Sequence, residues 1–88
     1  MKPEEIRKIV VDCLRGIAPE ADPTSLQGTV HLRDQLDLDS VDLLNFVISL
    51  HKQFKIDIPE KDYPQMMTLD GCVSYISNKI TQGPGTST

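Results

Sequence analysis

The sequence has few of the residues that build metal centres, disulfide scaffolds or membrane spans. Its 88 residues include two cysteines, two histidines and no tryptophan. Cys13 and Cys72 stand too far apart for a metal knuckle, and two cysteines are too few for a disulfide framework. No apolar run exceeds three residues, so no segment is long enough to cross a membrane. We therefore expect neither a bound metal nor membrane insertion.

Positive charge is scarce as well. Thirteen acidic residues against nine basic ones give a net charge of -4. This balance argues against nucleic-acid binding, because phosphate contacts need a basic face. The first residues are polar and lack the apolar stretch of a secretory signal, and 88 residues suit one hydrophobic core. We expect a single cytoplasmic domain that is a monomer.

Apolar residues recur at helical spacing in three segments, whereas strand signals are weak. The pattern predicts helices over about residues 3–16, 40–54 and 69–80, with Thr68 as a cap for the last. Residues 59–62 are expected to open a short helical turn that Pro64 interrupts. The sequence therefore predicts an all-α domain.

The segment from Gly16 to Asp39 shows no clear helical pattern. We expect a long loop there, held to the core by its apolar side chains and containing at most a brief helical turn. Residues 81–88 are expected to form a flexible tail. The predicted organisation is thus a helical domain over residues 1–80 and a tail over 81–88.

The middle helix carries two separate apolar stripes on a helical wheel. One is wide enough to be the core face and contains Leu43, Phe46, Val47, Leu50 and Phe54. The second consists of Val41, Leu44 and Ile48. It must contact the rest of the bundle, a ligand or a partner protein, and periodicity alone leaves these alternatives open.

Ser40 opens this helix in an acidic segment with no basic residue from Asp34 through Phe46. Asp39 suits the N-cap position, and Ser40 by itself is typical of a capping or solvated hydroxyl. A catalytic serine needs an oriented base, and neither histidine lies beside Ser40 in the sequence. No Gly-x-Ser-x-Gly turn surrounds it either. We therefore assign no catalytic residue.

The run Leu36-Asp37-Leu38-Asp39-Ser40-Val41-Asp42, followed by the apolar helix, resembles the acyl carrier protein family. The similarity covers roughly residues 3–80 and continues through Ile56-Asp57-Ile58-Pro59-Glu60, Thr68-Leu69 and Val73-Ser74-Tyr75-Ile76. Val41 replaces the leucine that is usual in the family. The resemblance implies a four-helix bundle with a long first loop and a short third helix.

The resemblance also implies a use for Ser40. In the family the matching serine is esterified with 4′-phosphopantetheine by a phosphopantetheinyl transferase, using coenzyme A and magnesium. The thiol of this arm carries acyl groups for enzymes of fatty acid or related acyl-chain biosynthesis. The positions that match the family's partner surface are Asp39, Val41, Asp42, Leu44, Ile48 and Met66. Those that match its core or acyl pocket are Phe46, Val47, Leu50, Phe54, Ile58, Val73 and Ile76.

Besides Val41, the chain departs from the family pattern in two other places. The middle helix carries Asn45, His51, Lys52 and Gln53 where many members are acidic, so we expect dedicated partners at least as much as the general fatty acid synthase. Pro64 and Gly71 are expected to loosen the region between residues 60 and 71.

Two alternatives to an acyl carrier stay open at this point. One is an aminoacyl or peptidyl carrier, against which Asp39 immediately before Ser40 is an argument. The other is an unmodified helical adaptor that binds partners through the second apolar stripe.

Overall fold

The protein is a bundle of helices, and the part of the chain that the structure describes contains no strand. The computed structural model describes residues 2–22 and 24–82. Its elements in chain order are α1 (Pro3–Ile17), α2 (Leu32–Leu36), α3 (Ser40–Phe54), a 3-10 helix (Glu60–Met66) and α4 (Leu69–Gln82). The predicted all-α class is confirmed, and the 3-10 helix is the short third member of the bundle.

The ends of the long helices differ slightly from the prediction. Helix α1 continues past Gly16 to Ile17, and the N–H of Ala18 closes it by donating to the Leu14 carbonyl oxygen at 2.8 Å. Helix α4 continues through residues 81 and 82, which were expected in the tail. Residues 83–88 lie outside the described part of the chain. No helix among the described residues is long and apolar enough to cross a membrane.

The core is formed by the apolar faces of α1, α3 and α4. Helix α1 buries one face, as its helical spacing predicts. Its partners are the buried face of α3 and the buried residues of α4. The side chains that are wholly inaccessible include Ile6, Val10, Leu14, Phe46, Leu50, Leu69, Cys72 and Ile76. Burying this apolar surface is the main driving force for the fold.

The long first segment contains the five-residue helix α2, which is the brief helical turn expected there, although the sequence pattern did not locate it. His31 caps this helix, because its Nδ1 accepts the N–H of Arg33 at 3.0 Å. Gln35 orders the preceding turn: its side-chain amide donates to the carbonyl oxygens of Gln27 and Val30 at 2.9 and 3.0 Å. A helix this short has too few apolar positions to show a period, so pattern analysis could not detect it.

Backbone hydrogen bonds join the first segment to the start of α4. The N–H of Leu32 donates to the Met67 carbonyl oxygen at 2.8 Å, and the N–H of Asp70 donates to the Gly28 carbonyl oxygen at 3.0 Å. The apolar side chains of the segment complete the attachment, since Leu26, Leu32 and Leu38 are buried. The expected loop is therefore held to the core, and it ends where α3 begins.

The 3-10 helix is fastened to α4 by two side-chain hydrogen bonds. The Tyr75 hydroxyl donates to the Asp62 carboxylate at 2.7 Å, and the Cys72 thiol donates to the Met66 carbonyl oxygen at 3.1 Å. Burial raises the pKa of the Cys72 thiol to about 12, so it stays protonated at neutral pH. Burial, and then the hydrogen bond to Asp62, also raise the pKa of Tyr75. Both groups therefore remain donors at physiological pH.

Pro64 does not interrupt the helical turn as expected, and Gly71 lies at a close contact between two elements. Pro64 lies inside the 3-10 helix, whose backbone φ range includes the value that the proline ring imposes. At Gly71 an added Cβ would overlap the Gln65 carbonyl oxygen and lie 2.8 Å from the Thr68 hydroxyl oxygen. Thr68 caps α4 by accepting the Gly71 N–H at 3.0 Å. Glycine thus permits a tight junction between the 3-10 helix and α4.

We expect Gly71→Ala to lower the free energy of unfolding by about 1–2 kcal/mol, because the junction has to open to admit the methyl group. Gly16→Ala is the matched control, since a Cβ there meets no atom within 4 Å in the same type of helical backbone. It should leave stability unchanged or raise it by up to about 1 kcal/mol. Urea unfolding of both variants measures the difference. Equal stability of the two variants would show that the Gly71 junction is not tight.

Candidate functional site

The backbone between α2 and α3 positions Ser40. Helix α2 ends at Leu36, and Asp37 takes a left-handed conformation with φ 55°. The Asp37 N–H donates to the Arg33 carbonyl oxygen at 3.1 Å and closes α2. Leu38 then enters the core, which fixes the direction in which the chain starts α3. Aspartate adopts this left-handed conformation more readily than most residues. Asp37 is therefore the one signal for this turn in the sequence, and the pattern of apolar residues does not contain it.

A reciprocal pair of hydrogen bonds closes the N-terminus of α3. The Asp39 carboxylate accepts the N–H of Asp42 at 2.8 Å, and the Asp42 carboxylate accepts the N–H of Asp39 at 3.4 Å. The predicted N-cap role of Asp39 is confirmed. Ser40 is therefore the first residue of the helix, and the cap that holds this end does not depend on its hydroxyl.

Ser40 itself is exposed. Two buried leucines flank it in the sequence, Leu38 before Ser40 and Leu43 after it. They anchor the backbone on both sides, while Ser40 faces outward. The histidines are engaged elsewhere: His31 caps α2, and the His51 ring nitrogen Nδ1 is hydrogen-bonded to the Ile56 carbonyl oxygen. The site is thus an exposed serine at the capped N-terminus of a helix.

The two apolar stripes of α3 separate as predicted. The core stripe is buried from Leu43 through Leu50, and Phe54 is half-buried at its end. The second stripe stays exposed: Val41 is 62%, Leu44 44% and Ile48 39% accessible. Within residues 2–22 and 24–82, the bundle therefore leaves this stripe uncovered. It begins directly after Ser40, with exposed Asp39 and half-buried Asp42 at its head.

Met66 does not lie on the surface where the resemblance placed it. Its side chain is fully buried. The 3-10 helix turns it inward, and Cys72 of α4 holds its carbonyl group by a hydrogen bond. The assignment of Met66 to the partner surface is wrong for this conformation, because a buried side chain is not available to a partner.

Most of the residues matched to a core or acyl pocket are buried together. Phe46, Val47, Leu50, Ile58 and Ile76 all belong to the hydrophobic core. Phe54 and Val73 are half-buried and pack against that core at its edge. These seven side chains come from α3, the segment after it, and α4, and they belong to or pack against one hydrophobic core.

Comparison with known proteins identifies the class to which this fold and site belong. The family model described as "Phosphopantetheine attachment site" matches residues 8–76. An acyl carrier protein from Lactobacillus acidophilus is 31% identical over 78 residues, which cover 89% of this chain and 96% of the relative. The mitochondrial acyl carrier protein of Neurospora crassa is 33% identical over 76 residues, 86% of this chain and 57% of that protein.

Solved structures show the same architecture. The solution structure of a protein from Anaplasma phagocytophilum, assigned as an acyl carrier protein, superposes with a TM-score of 0.79. It is 31% identical, and the match covers 90% of this chain and 92% of the other. The fold thus defines a small helical carrier domain with a phosphopantetheine attachment site.

The chain belongs to the acyl carrier protein family. It is therefore a carrier of acyl groups and not an enzyme, and its prosthetic group is 4′-phosphopantetheine. Acyl carrier proteins work by interacting with enzymes.

The N-terminus of α3 fits a phosphate-linked group. The N–H groups of Ser40 and Val41 have no partner within the helix, because the first turn lacks preceding carbonyl groups. The positive end of the helix dipole favours a phosphate at this place. The Asp39 and Asp42 carboxylates each accept the backbone N–H of the other residue. They leave the N–H groups of Ser40 and Val41 uncovered.

Proposed function

We propose that the hydroxyl of Ser40 is the attachment point of 4′-phosphopantetheine and that the chain carries acyl groups as thioesters on the terminal thiol of that arm. The observation that carries this proposal is the exposed hydroxyl of Ser40 on a helix end fixed by Leu38, Leu43 and the Asp39 cap. No base has to lie beside Ser40, since a transferase supplies the activation.

The experiment that tests the proposal is intact-mass measurement. The purified chain is incubated with coenzyme A, magnesium and a broad-specificity phosphopantetheinyl transferase, and the mass should rise by one arm. Acylation of the new thiol then distinguishes an acyl carrier from an aminoacyl carrier, because the two accept different activated acids. A chain that gains no mass would support the unmodified adaptor instead.

The second stripe of α3 is proposed as the surface that partner enzymes contact. Val41, Leu44 and Ile48 are exposed beside Ser40, so a partner that receives the arm also meets these side chains. Asp39 and Asp42 add negative charge at the head of this surface, which a transferase or acyl-processing enzyme can meet with basic residues. A few side chains near the centre of such an interface, removed from water on binding, carry most of its energy.

We expect Leu44→Glu and Ile48→Glu to lower the rate of acyl loading or phosphopantetheine transfer about tenfold or more. Each change puts a charge into a contact that has to be desolvated. The thermal unfolding transition should hardly move, because both side chains are exposed. Transfer kinetics and circular dichroism test the two parts. A collapse of the helical signal at ordinary temperature would show that these residues are packed.

The apolar region made by the core residues is proposed to receive the acyl chain. Phe46, Leu50 and Ile76 lie at its centre, and half-buried Phe54 and Val73 lie at its edge. Apolar cargo is stabilised wherever it leaves water, at roughly 0.8 kcal/mol for each CH₂ group.

The pathway and the cellular location follow as finer proposals. We propose service to fatty acid synthesis or to a related acyl-chain route with its own loading enzyme. We propose the cytoplasm as the location, and cell fractionation with an antibody to the chain tests this. Recovery from an organelle would contradict it and would match the name of the Neurospora crassa relative.

A further inference from the structure

The exposed face of α3 changes its charge from one end to the other. From Asp34 through Phe46 the chain has four aspartates and no basic residue. Lys52 and Lys55, at the far end of α3, are both exposed. Even with Asp57 included, residues 51–57 carry a net positive charge. The N-terminal end of α3 is therefore acidic, with Asp39 and Asp42, and is called the acidic head. The C-terminal end is basic, with Lys52 and Lys55, and is called the basic foot.

The basic foot lies on the line of the exposed stripe. Lys52 follows Ile48 by four residues, a spacing that shares one helix face. Lys55 is the C-cap of α3, in a left-handed conformation, and is exposed directly beyond the last helical residue. Val41, Leu44 and Ile48 precede Lys52 at spacings of three and four residues. A protein that docks on the stripe from the Ser40 end therefore meets the lysines at the other end of the same contact.

The two charged ends act on a partner separately. Ten residues of helix separate Asp42 from Lys52, which corresponds to about 15 Å. This exceeds the screening length of about 8 Å at physiological ionic strength. The acidic head therefore does not neutralise the basic foot, and a partner surface that is basic along its whole length would be repelled at Lys52 and Lys55.

We propose, on the basis of the carrier function above, that the enzyme which loads or processes the acyl group of this chain has a bipolar docking surface. Its basic residues face Asp39 and Asp42, an apolar patch covers the stripe, and Asp or Glu side chains face Lys52 and Lys55. Charge complementarity of this kind sets partner choice and encounter rate more than total affinity. The carboxylates opposite the lysines select this carrier and disfavour a carrier whose α3 is acidic throughout.

The test compares two charge-reversal variants of the phosphopantetheine-bearing protein. Lys52→Glu/Lys55→Glu reverses the basic foot. Lys8→Glu/Arg15→Glu on α1 is the matched control, because both positions are exposed and Arg15 lies, like Lys52, in the last turn of its helix. Acyl loading is measured with the enzyme purified from the native cells by its activity on the wild-type protein. We expect kcat/KM to fall about tenfold for the first variant and to change less than about twofold for the second.

Carbodiimide cross-linking gives an independent readout, because it joins a lysine amine to a carboxylate in direct contact. In the complex with the loading enzyme, Lys52 or Lys55 should become linked to an Asp or Glu of the enzyme. Cross-links that use only aspartates of this chain and lysines of the enzyme would overturn the proposal, as would unchanged or faster loading of Lys52→Glu/Lys55→Glu.

The wild-type reaction separates the two possible failures. If the wild-type protein gains no arm, or takes no acyl group from any enzyme of its cells, the proposed carrier function is wrong and the docking proposal falls with it. If the wild type is loaded and the double variant is loaded equally well, the carrier function stands and only the bipolar docking surface is wrong.

Discussion

A Ser40→Ala variant should remain entirely unmodified under conditions in which the wild-type chain gains one phosphopantetheine arm. The arm forms a phosphate ester with a hydroxyl, and alanine has none to offer. The fold should survive the change, since Ser40 is exposed and the cap of α3 is made by Asp39 and Asp42. The transfer reaction followed by intact-mass measurement gives a yes-or-no result.

Two serine controls make this result specific. Ser74→Ala removes an exposed hydroxyl from α4, and Ser49→Ala removes a half-buried one from α3 itself. Both variants should gain the arm as the wild type does. Retention of the mass gain in Ser40→Ala, or its loss in Ser74→Ala, would move the attachment point to another residue. Equal melting temperatures of the four proteins would exclude misfolding as the cause.

Phe46→Ala should lower the free energy of unfolding by about 3–5 kcal/mol, because it removes the largest wholly buried side chain of the core and leaves a cavity. Small domains have only about 5–15 kcal/mol of net stability, so this one change should bring the protein near the limit of folding. The same helix offers a comparison two positions away. Leu44→Ala truncates a side chain that is 44% accessible and should cost less than about 1 kcal/mol.

Chemical unfolding followed by circular dichroism measures both variants on one scale. The large difference between Phe46 and Leu44 is expected because the two side chains point to opposite surfaces of α3, one into the bundle and one into solvent. Similar losses for the two variants would mean that the exposed stripe is in fact part of the core. The stripe would then not be a surface for partner enzymes.

Helix α3 shows why part of this structure could be predicted from the sequence. Its bounds, its cap at Asp39 and its two stripes all depend on residues within one or two turns of each other. Local spacing and capping therefore define them. Helix α2 could not be predicted in the same way, since five residues give no period and its His31 and Gln35 contacts depend on the folded turn.

Met66 and Gly71 illustrate what local pattern could not provide. Met66 occupies a position that resemblance placed on the surface, yet the 3-10 helix turns it into the core, where the Cys72 thiol binds its carbonyl oxygen. Gly71 is expected from the sequence to loosen the region between residues 60 and 71, yet an added Cβ there would overlap the Gln65 carbonyl oxygen. Both outcomes depend on how two neighbouring elements pack, and no spacing within either element encodes that.

The sequence by itself determined that this chain is helical, where its three long helices lie, and that Ser40 stands at the head of the middle one. Those features follow from side-chain periodicity and from capping hydrogen bonds, which act over a few residues. Only the tertiary structure decided that Val41, Leu44 and Ile48 stay uncovered while Met66 does not. Whether an apolar side chain remains in water depends on which distant elements pack against it, and that packing is a property of the whole bundle.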